Sequence, residues 1–257
     1  MFKALLARLK TGHRTQPFPP GAGAFSDRFR GRPEIKSGAA AADFSSCPTA
    51  AWQLQDGAPN LDLGRCLFCG DCPWAAKDGP LVFSRDYRLA ASNRRDLLVR
   101  PGADLKLASS LGNKLHRLLG RALRLRQVSA GGCNACETDA NVLTTVGFDL
   151  GRFGIQFVAS PRHADGLIVT GPVTRNMRLA LEKTYAAIPE PKIVIASGAC
   201  AVSGGPYAGS EQVLAGVDKI LPVDLYVPGC PPHPLTLLDG LLRILGRLPQ
   251  AGRLADF

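Results

Sequence analysis

The sequence predicts an α/β protein: a mostly parallel sheet domain in the C-terminal half, preceded by a small α+β domain. In the C-terminal half, short apolar runs alternate with helical patterns, as in chains built from repeated strand-helix units. Four runs have the length of buried strands: FGIQFVAS, DGLIVTG, KIVIAS and DLYVPG. Helical patterns follow Val173 and extend from Pro234 to Leu248. The N-terminal half has shorter apolar runs between loops, which indicates a smaller domain.

The composition is that of an ordinary globular chain, with 257 residues of which 46% are hydrophobic. No uncharged apolar run reaches the roughly 18 residues that a membrane-spanning helix needs. The first residues contain neither a signal-peptide h-region nor a twin-arginine pair, so we expect a cytoplasmic protein. Because reducing thiol systems keep cytoplasmic cysteines free, the 8 cysteines favour metal or redox chemistry over disulfides.

The net charge of +10 lies entirely in the N-terminal half. Residues 130–257 carry 10 Lys and Arg against 11 Asp and Glu, which leaves 21 against 10 for residues 1–129. Such an excess is typical of a solvated surface or of contact with nucleic acid, anionic lipid or an acidic partner. Since no aromatic residues are interleaved with these charges, we expect no nucleic-acid binding.

The chain divides into four predicted segments. Residues 1–29 form an arm in which a short helix, with apolar residues on one side, precedes a stretch rich in Pro and Gly. Residues 30–95 form the small domain, which we expect to need its metal to fold. Residues 96–128 form a linker, and residues 129–257 form the α/β domain.

A basic amphipathic helix is predicted in the linker, from Leu105 to Arg126. Apolar residues fall there at steps of three and four: Leu111, Leu115, Leu118, Ala122 and Leu125. The charged residues between them are Lys and Arg, with no acid after Asp104. Such a helix either packs on its own domain or docks on a partner protein or a membrane surface.

Four cysteines of the C-terminal half, here the C-terminal set, follow predicted strands or glycine-rich turns. GGCNACE, SGAC and PGCPP supply Cys133, Cys136, Cys200 and Cys230. Ligands of open α/β sheets collect at the carboxyl ends of strands, so these thiolates could surround one centre. Flanking glycines would let the backbone approach an iron–sulfur cluster closely, but a four-cysteine shell suits zinc as well.

The other four cysteines, here the N-terminal set, have a ferredoxin spacing. RCLFCGDCP places three of them at successive steps of three, and a Cys-Pro pair stands upstream; the set is Cys47, Cys66, Cys69 and Cys72. Zinc knuckles usually supply paired cysteines, whereas this spacing is typical of four-iron clusters. Ala76 stands where a two-cluster ferredoxin has a further cysteine. We therefore interpret the segment as a degenerate ferredoxin-like domain that keeps one cluster.

Residues 125–245 resemble the small cluster-bearing subunit of membrane-bound group 4 NiFe hydrogenases of the formate hydrogenlyase type. This subunit is homologous to the B (20 kDa) subunit of respiratory complex I. The motifs that carry the resemblance are GGCNACE, FGIQFVASPRHADGLIVTGPVTRNM, SGACAVSGG and VDLYVPGCPPHP. The resemblance implies a flavodoxin-like fold and a 4Fe-4S cluster on the C-terminal set, in place of zinc. At the place of Cys133 and Cys136, complex I has two adjacent cysteines, whereas this chain has the C-x-x-C spacing of hydrogenases.

By this resemblance, the chain is expected to be an electron-transfer subunit with two 4Fe-4S clusters, peripheral on the cytoplasmic side of the cell membrane. The implied partners are a hydrogenase large subunit, or its complex I-like homologue, together with membrane subunits and further iron–sulfur subunits. The usual stand-alone subunit lacks the ferredoxin-like segment, so the chain resembles a fusion of two subunits. The alternatives are a complex I-like subunit that passes electrons to quinone and a zinc-binding structural scaffold.

No residue is predicted to be catalytic. Glu137 and Asp139 follow the first cysteine loop, where acids either cap a helix or help with proton transfer or partner contact. Arg162 and His163 either contact the partner, tune the cluster or hold the local structure. Two histidines without a second ligand at metal spacing are expected to be structural: His116 and His233.

Overall fold

A computed structural model describes residues 2–21, 25–36, 45–55, 57–72, 79–112 and 123–248 of the chain. In the N-terminal half the elements are short: α1 (Phe2–Thr11), β1 (Pro33–Ile35), β2 (Trp52–Gln55), β3 (Ala58–Asp62), β4 (Leu81–Phe83) and β5 (Leu98–Val99). Strand β1 pairs with β4, and β2, β3 and β5 form a second sheet, with all pairs antiparallel. The two small sheets carry the loops that contain the N-terminal set.

The C-terminal half is an α/β domain, as predicted. Its elements are β6 (Leu123–Ser129), α2 (Ala135–Val142), β7 (Ile155–Phe157), β8 (Gly166–Thr170), α3 (Arg175–Ala186), β9 (Ile193–Ser197), α4 (Ala199–Ser203), β10 (Leu225–Val227) and α5 (Pro234–Ile244). Five parallel strands pair in the order β7-β6-β8-β9-β10. This is the strand order of flavodoxin-like sheets. Every residue of β8 and β9 is buried, as expected of parallel strands covered on both faces.

The predicted helix from Leu105 to Arg126 is wrong at both described ends. Residues 105–112 contain no helix, residues 113–122 lie outside the described part of the chain, and Leu123–Ser129 is strand β6. In β6 the side chains alternate, with Leu123 and Leu125 buried and Arg124 exposed between them. Alternation with a period of two suits a strand. The segment also fits the helical spacing of apolar residues, and pairing with β7 and β8 on either side selects the strand.

The two halves of the chain share one hydrophobic core. Leu61 and Leu63 from the small sheets belong to the same buried cluster as Val169 and Val202 of the α/β domain. At the edge of the large sheet, the segment before β5 adds two backbone hydrogen bonds. The N–H of Ala91 donates to the carbonyl of Tyr226 over 3.0 Å, and the N–H of Tyr226 donates back over 2.9 Å. The N-terminal set is thereby held at a fixed place beside the parallel sheet.

The other face of the large sheet is covered mainly by α5, whose 11 residues are all buried. Within this helix the Arg243 guanidinium donates to the Asp239 carboxylate over 2.7 Å, and both side chains are at most 4% exposed. A buried pair of this kind is costly to break, because a single uncompensated charge would remain. Among the described residues, no helix combines the length and the apolar character that crossing a membrane requires.

Candidate metal centres

The sheet brings the C-terminal set together at one edge. Cys133 lies in the loop after β6, Cys136 in the first turn of α2, Cys200 in α4 directly after β9, and Cys230 in the loop after β10. Because β6, β9 and β10 are parallel, their carboxyl ends meet at this edge. All four cysteines line a single small cavity, which we call the C-terminal cavity.

Glycines let the loops around the C-terminal cavity come close to its thiols and to each other. Gly198 has φ +94, and a Cβ at this position would lie 2.6 Å from the Sγ of Cys136. A Cβ on Gly171 would lie 2.5 Å from the backbone nitrogen of Gly132. The loops after β6, β8 and β9 can therefore approach the thiols and each other only because these positions lack a side chain.

Burial opposes ionisation of the thiols in the C-terminal set. It raises the pKa of Cys136 to about 12 and that of Cys200 to about 11, with further increases from neighbouring cysteines. The pKa of Cys230 is also raised, mainly by burial. Thiolates are the metal-binding form of cysteine, and a cationic centre among them stabilises that form. The donor set thus fits an iron–sulfur cluster, which would supply the missing positive charge.

The N-terminal set lines a second cavity, here the N-terminal cavity. Two backbone N–H groups donate to its sulfurs: that of Ala51 to the Sγ of Cys47 and that of Phe68 to the Sγ of Cys66, both over 3.3 Å. Such bonds stabilise negative charge on sulfur and are typical of cluster ligands. These two contacts would suit a cluster on four thiolates.

Trp52 is a functional candidate that the sequence analysis missed. Burial raises the pKa of Cys66 to about 12 and also raises that of Cys72. At Cys72 the nearby indole N–H of Trp52 acts in the opposite direction and lowers the pKa. Trp52 is only 8% exposed and lines the N-terminal cavity. Its position at the start of a strand gave no sign of contact with the distant cysteine loop.

The two cysteine sets are neighbours in space. Burial, Cys133 and, from the other half of the chain, Cys69 raise the pKa of Cys230. The Arg30 guanidinium donates to the carbonyls of Phe68, over 2.9 Å, and Cys69. A third cavity lies between the sets and is lined by Arg30, Phe68 and Cys230 among others.

Glu137 ties the first cysteine loop to the sheet. Its carboxylate is 7% exposed and accepts a hydrogen bond of 2.6 Å from the hydroxyl of Thr170, at the end of β8. Burial raises the pKa of Glu137, but hydrogen bonds from Ser129 and Thr170 outweigh burial and bring the pKa below its ordinary value. Glu137 also lies in the first turn of α2, where an acid favours the helix. The contact with Thr170 depends on the strand order, so the sequence gave no sign of it.

The remaining predicted residues that the structure describes line neither the C-terminal nor the N-terminal cavity. Asp139 lines the third cavity, and burial raises its pKa. Arg162 and His163 are exposed in a short 3-10 turn after β7, and neither is among the residues that line the three cavities. His233 caps α5 by accepting from the N–H of Leu235 over 3.2 Å. His116 lies outside the described residues.

None of the eight cysteines forms a disulfide. In the described ranges, no group of three or more His, Cys, Asp or Glu side chains is arranged to hold a metal ion. The support for the ligand assignments is therefore the pair of cavities that the thiols line.

Comparison with known proteins places the C-terminal half in a family. Residues 133–244 match the family described as NADH ubiquinone oxidoreductase, 20 Kd subunit. Formate hydrogenlyase subunit 7 of Escherichia coli is 44% identical over 142 residues, which are 55% of this chain and 56% of that protein. The probable membrane-bound hydrogenase subunit mbhJ of Pyrococcus furiosus is 42% identical over 137 residues, 53% of this chain and 82% of that protein.

The B subunit of the NADH-quinone oxidoreductase of Heliobacterium modesticaldum is 43% identical over 125 residues, 48% of this chain and 71% of that protein. The chain thus spans most of two of these relatives, but only about half the length of formate hydrogenlyase subunit 7. The family match covers most of the α/β domain and includes its four cysteines. The resemblance predicted from the cysteine motifs is confirmed, and the chain belongs to the family of the 20 Kd subunit of NADH ubiquinone oxidoreductase.

Proposed function

We propose that this chain is the electron-transfer subunit of a membrane-associated NiFe hydrogenase complex of the group 4 type, with two 4Fe-4S clusters. Cys133, Cys136, Cys200 and Cys230 would hold one cluster, and Cys47, Cys66, Cys69 and Cys72 would hold the other. Each cluster would accept and release single electrons. The chain itself would bind the clusters, space them and set their potentials.

The observation that carries this proposal is the grouping of the thiols. Each set of four cysteines chosen from the sequence lines one cavity, although the cysteines of the C-terminal set come from three separate loops. Backbone N–H groups donate to sulfurs in the N-terminal cavity, and glycines let the loops approach the thiols of the C-terminal cavity. These features suit clusters, whose sulfurs need both close backbone approach and hydrogen-bond donors.

The third cavity, which Cys230 lines together with Phe68 of the N-terminal cysteine loop, supports a direct route between the two centres. Arg30 holds the backbone at Cys69, and the shared core fixes the two halves relative to each other. The N-terminal cluster would then be the immediate redox partner of the C-terminal cluster. This arrangement suits a fusion in which a ferredoxin-like segment replaces a separate electron carrier.

The names of the relatives support the choice of complex. Two of the three are described as subunits of formate hydrogenlyase and of a membrane-bound hydrogenase. The nickel site would lie on a large-subunit partner, with membrane subunits and further iron–sulfur subunits completing a complex on the cytoplasmic side of the membrane. The spacing of Cys133 and Cys136, which resembles that of hydrogenases, favours this complex.

A complex I-like subunit that passes electrons to quinone is the second candidate. It is favoured by the match to the B subunit of an NADH-quinone oxidoreductase at 43% identity. Both candidates use the same two clusters, and they differ in the centre with which the C-terminal cluster exchanges electrons.

The complex purified under anaerobic conditions separates the two candidates. A hydrogenase should contain nickel and reduce an artificial acceptor with hydrogen, and Cys133→Ser should abolish this activity. Cys69→Ser serves as the matched variant. It should hinder exchange with the physiological redox partner but retain hydrogen isotope exchange at the nickel site. A nickel-free complex that reduces quinone would overturn the hydrogenase assignment.

A further inference from the structure

Helix α1 presents an apolar face that no part of the described chain covers. Four large side chains lie at positions i, i+3, i+4 and i+7 of this helix, which places them on one side. Their exposed fractions are 72% for Phe2, 58% for Leu5, 43% for Leu6 and 75% for Leu9. No residue of α1 is buried. Such a continuous exposed strip marks an interaction surface.

Cations flank this apolar face on both sides. At about 100° per residue, Lys3 and Lys10 lie on one side of the strip and Arg8 lies on the other. The helix contains no acidic residue, and Arg14 follows it shortly afterwards. Lysine and arginine at these positions can extend their charged ends towards headgroups while their aliphatic stems cover the apolar boundary.

The segment after α1 is fastened to the body of the protein. The N–H of Gln16 donates to the carbonyl of Gly147 over 2.7 Å, and Arg152 donates to the carbonyl of Gln16 over 2.6 Å. The ring of Phe18 packs edge-on against Phe153, with centroids 5.6 Å apart. The helix is therefore tethered to the folded body within a few residues, while its apolar face contacts none of it.

We propose that α1 is an interfacial helix that binds the surface of an anionic membrane. An apolar strip with cations on both sides fits the plane of the headgroups, where the leucines enter the acyl boundary and the cations meet lipid phosphates. The apolar surface of a protein partner would not require cations on both flanks without acids among them. This inference is independent of the cluster assignments, because no cysteine lies in α1.

The test is co-sedimentation of the full chain with vesicles at moderate salt. Vesicles of phosphatidylglycerol and phosphatidylcholine in equal parts should bind the protein much more tightly than pure phosphatidylcholine. Replacing Lys3, Arg8 and Lys10 with Gln should weaken binding to the anionic vesicles roughly 100-fold, at about 5-fold for each cation. The double variant Leu5→Ser/Leu9→Ser should weaken binding at least about 10-fold, through loss of buried apolar area.

Control variants remove exposed leucines and cations outside α1. Leu54 and Leu179 are 60% and 59% exposed, so Leu54→Ser/Leu179→Ser removes two exposed leucines outside α1. Arg178→Gln/Lys183→Gln removes two exposed cations of α3. Both controls should bind vesicles about as tightly as the wild type, with iron content unchanged in every variant. Equal binding to neutral and anionic vesicles, no binding to either, or α1 variants that bind like the wild type would each overturn the proposal.

Discussion

Replacing Gly198 with Ala should remove the cluster from the C-terminal cavity and leave the other cluster in place. Gly198 has φ +94 and ψ 154, a region that is open almost only to glycine, so the new side chain strains the backbone by about 1–3 kcal/mol. Its Cβ would also lie 2.6 Å from the Sγ of Cys136. Carbon atoms in contact lie about 3.5–4.0 Å apart, so the sulfur would have to retreat by about 1 Å. Metal sites hold ligand distances within about 0.2 Å, which makes such a shift incompatible with binding.

The assay is iron and acid-labile sulfide in the full chain purified anaerobically, together with the electron paramagnetic resonance of the reduced protein. Gly198→Ala should lower the iron content from about eight to about four per chain and remove one of two signals. Gly209→Ala is the matched control, because a Cβ there meets nothing within 4 Å. If Gly198→Ala keeps about eight irons with both signals, the placement of a cluster among these thiols is refuted.

Three further changes test the supporting contacts. Thr170→Val removes a hydrogen bond to the buried carboxylate of Glu137 and should lower the free energy of unfolding in urea by about 1.5–3 kcal/mol. A loss below about 0.5 kcal/mol would contradict a stabilising role for this hydrogen bond. Arg243→Met should lower the free energy of unfolding by about 3 kcal/mol, because it leaves Asp239 buried without this partner. Adding Asp239→Leu to the same chain should restore most of that stability, and additive losses from the two changes would contradict the pairing. Trp52→Phe removes the indole N–H near Cys72 and should lower the potential of the N-terminal cluster in a redox titration. An unchanged potential would count against this role of Trp52.

Sequence patterns located most of the large sheet. Strands β7 to β10 were predicted because each is an apolar run that ends at glycine, proline or a short polar turn, and α3 and α5 followed from helical periodicity. Strand β6 was missed, since Leu123 and Leu125 fit both a helical pattern and an alternating one. Only the neighbouring strands β7 and β8 decide between the two, and those contacts are not encoded within the segment itself.

Both cysteine sets could be grouped from motif spacing, but their surroundings could not. Trp52, which acts on Cys72, and Thr170, which binds Glu137, become neighbours of the cysteine loops only through the tertiary fold. The same is true of the third cavity between the two sets and of the core that joins the two halves. Local spacing identifies a ligand set, whereas the groups that tune it come from elements far away in the sequence.

The most direct test of the central claim is the metal and sulfide content of the full chain purified without oxygen. Two sites of four thiolates each predict about eight irons and about eight acid-labile sulfides per chain, with little zinc. A brown protein with this stoichiometry would support both cluster assignments. A colourless protein with about two zinc ions and almost no sulfide would contradict them and favour a structural role for the eight cysteines.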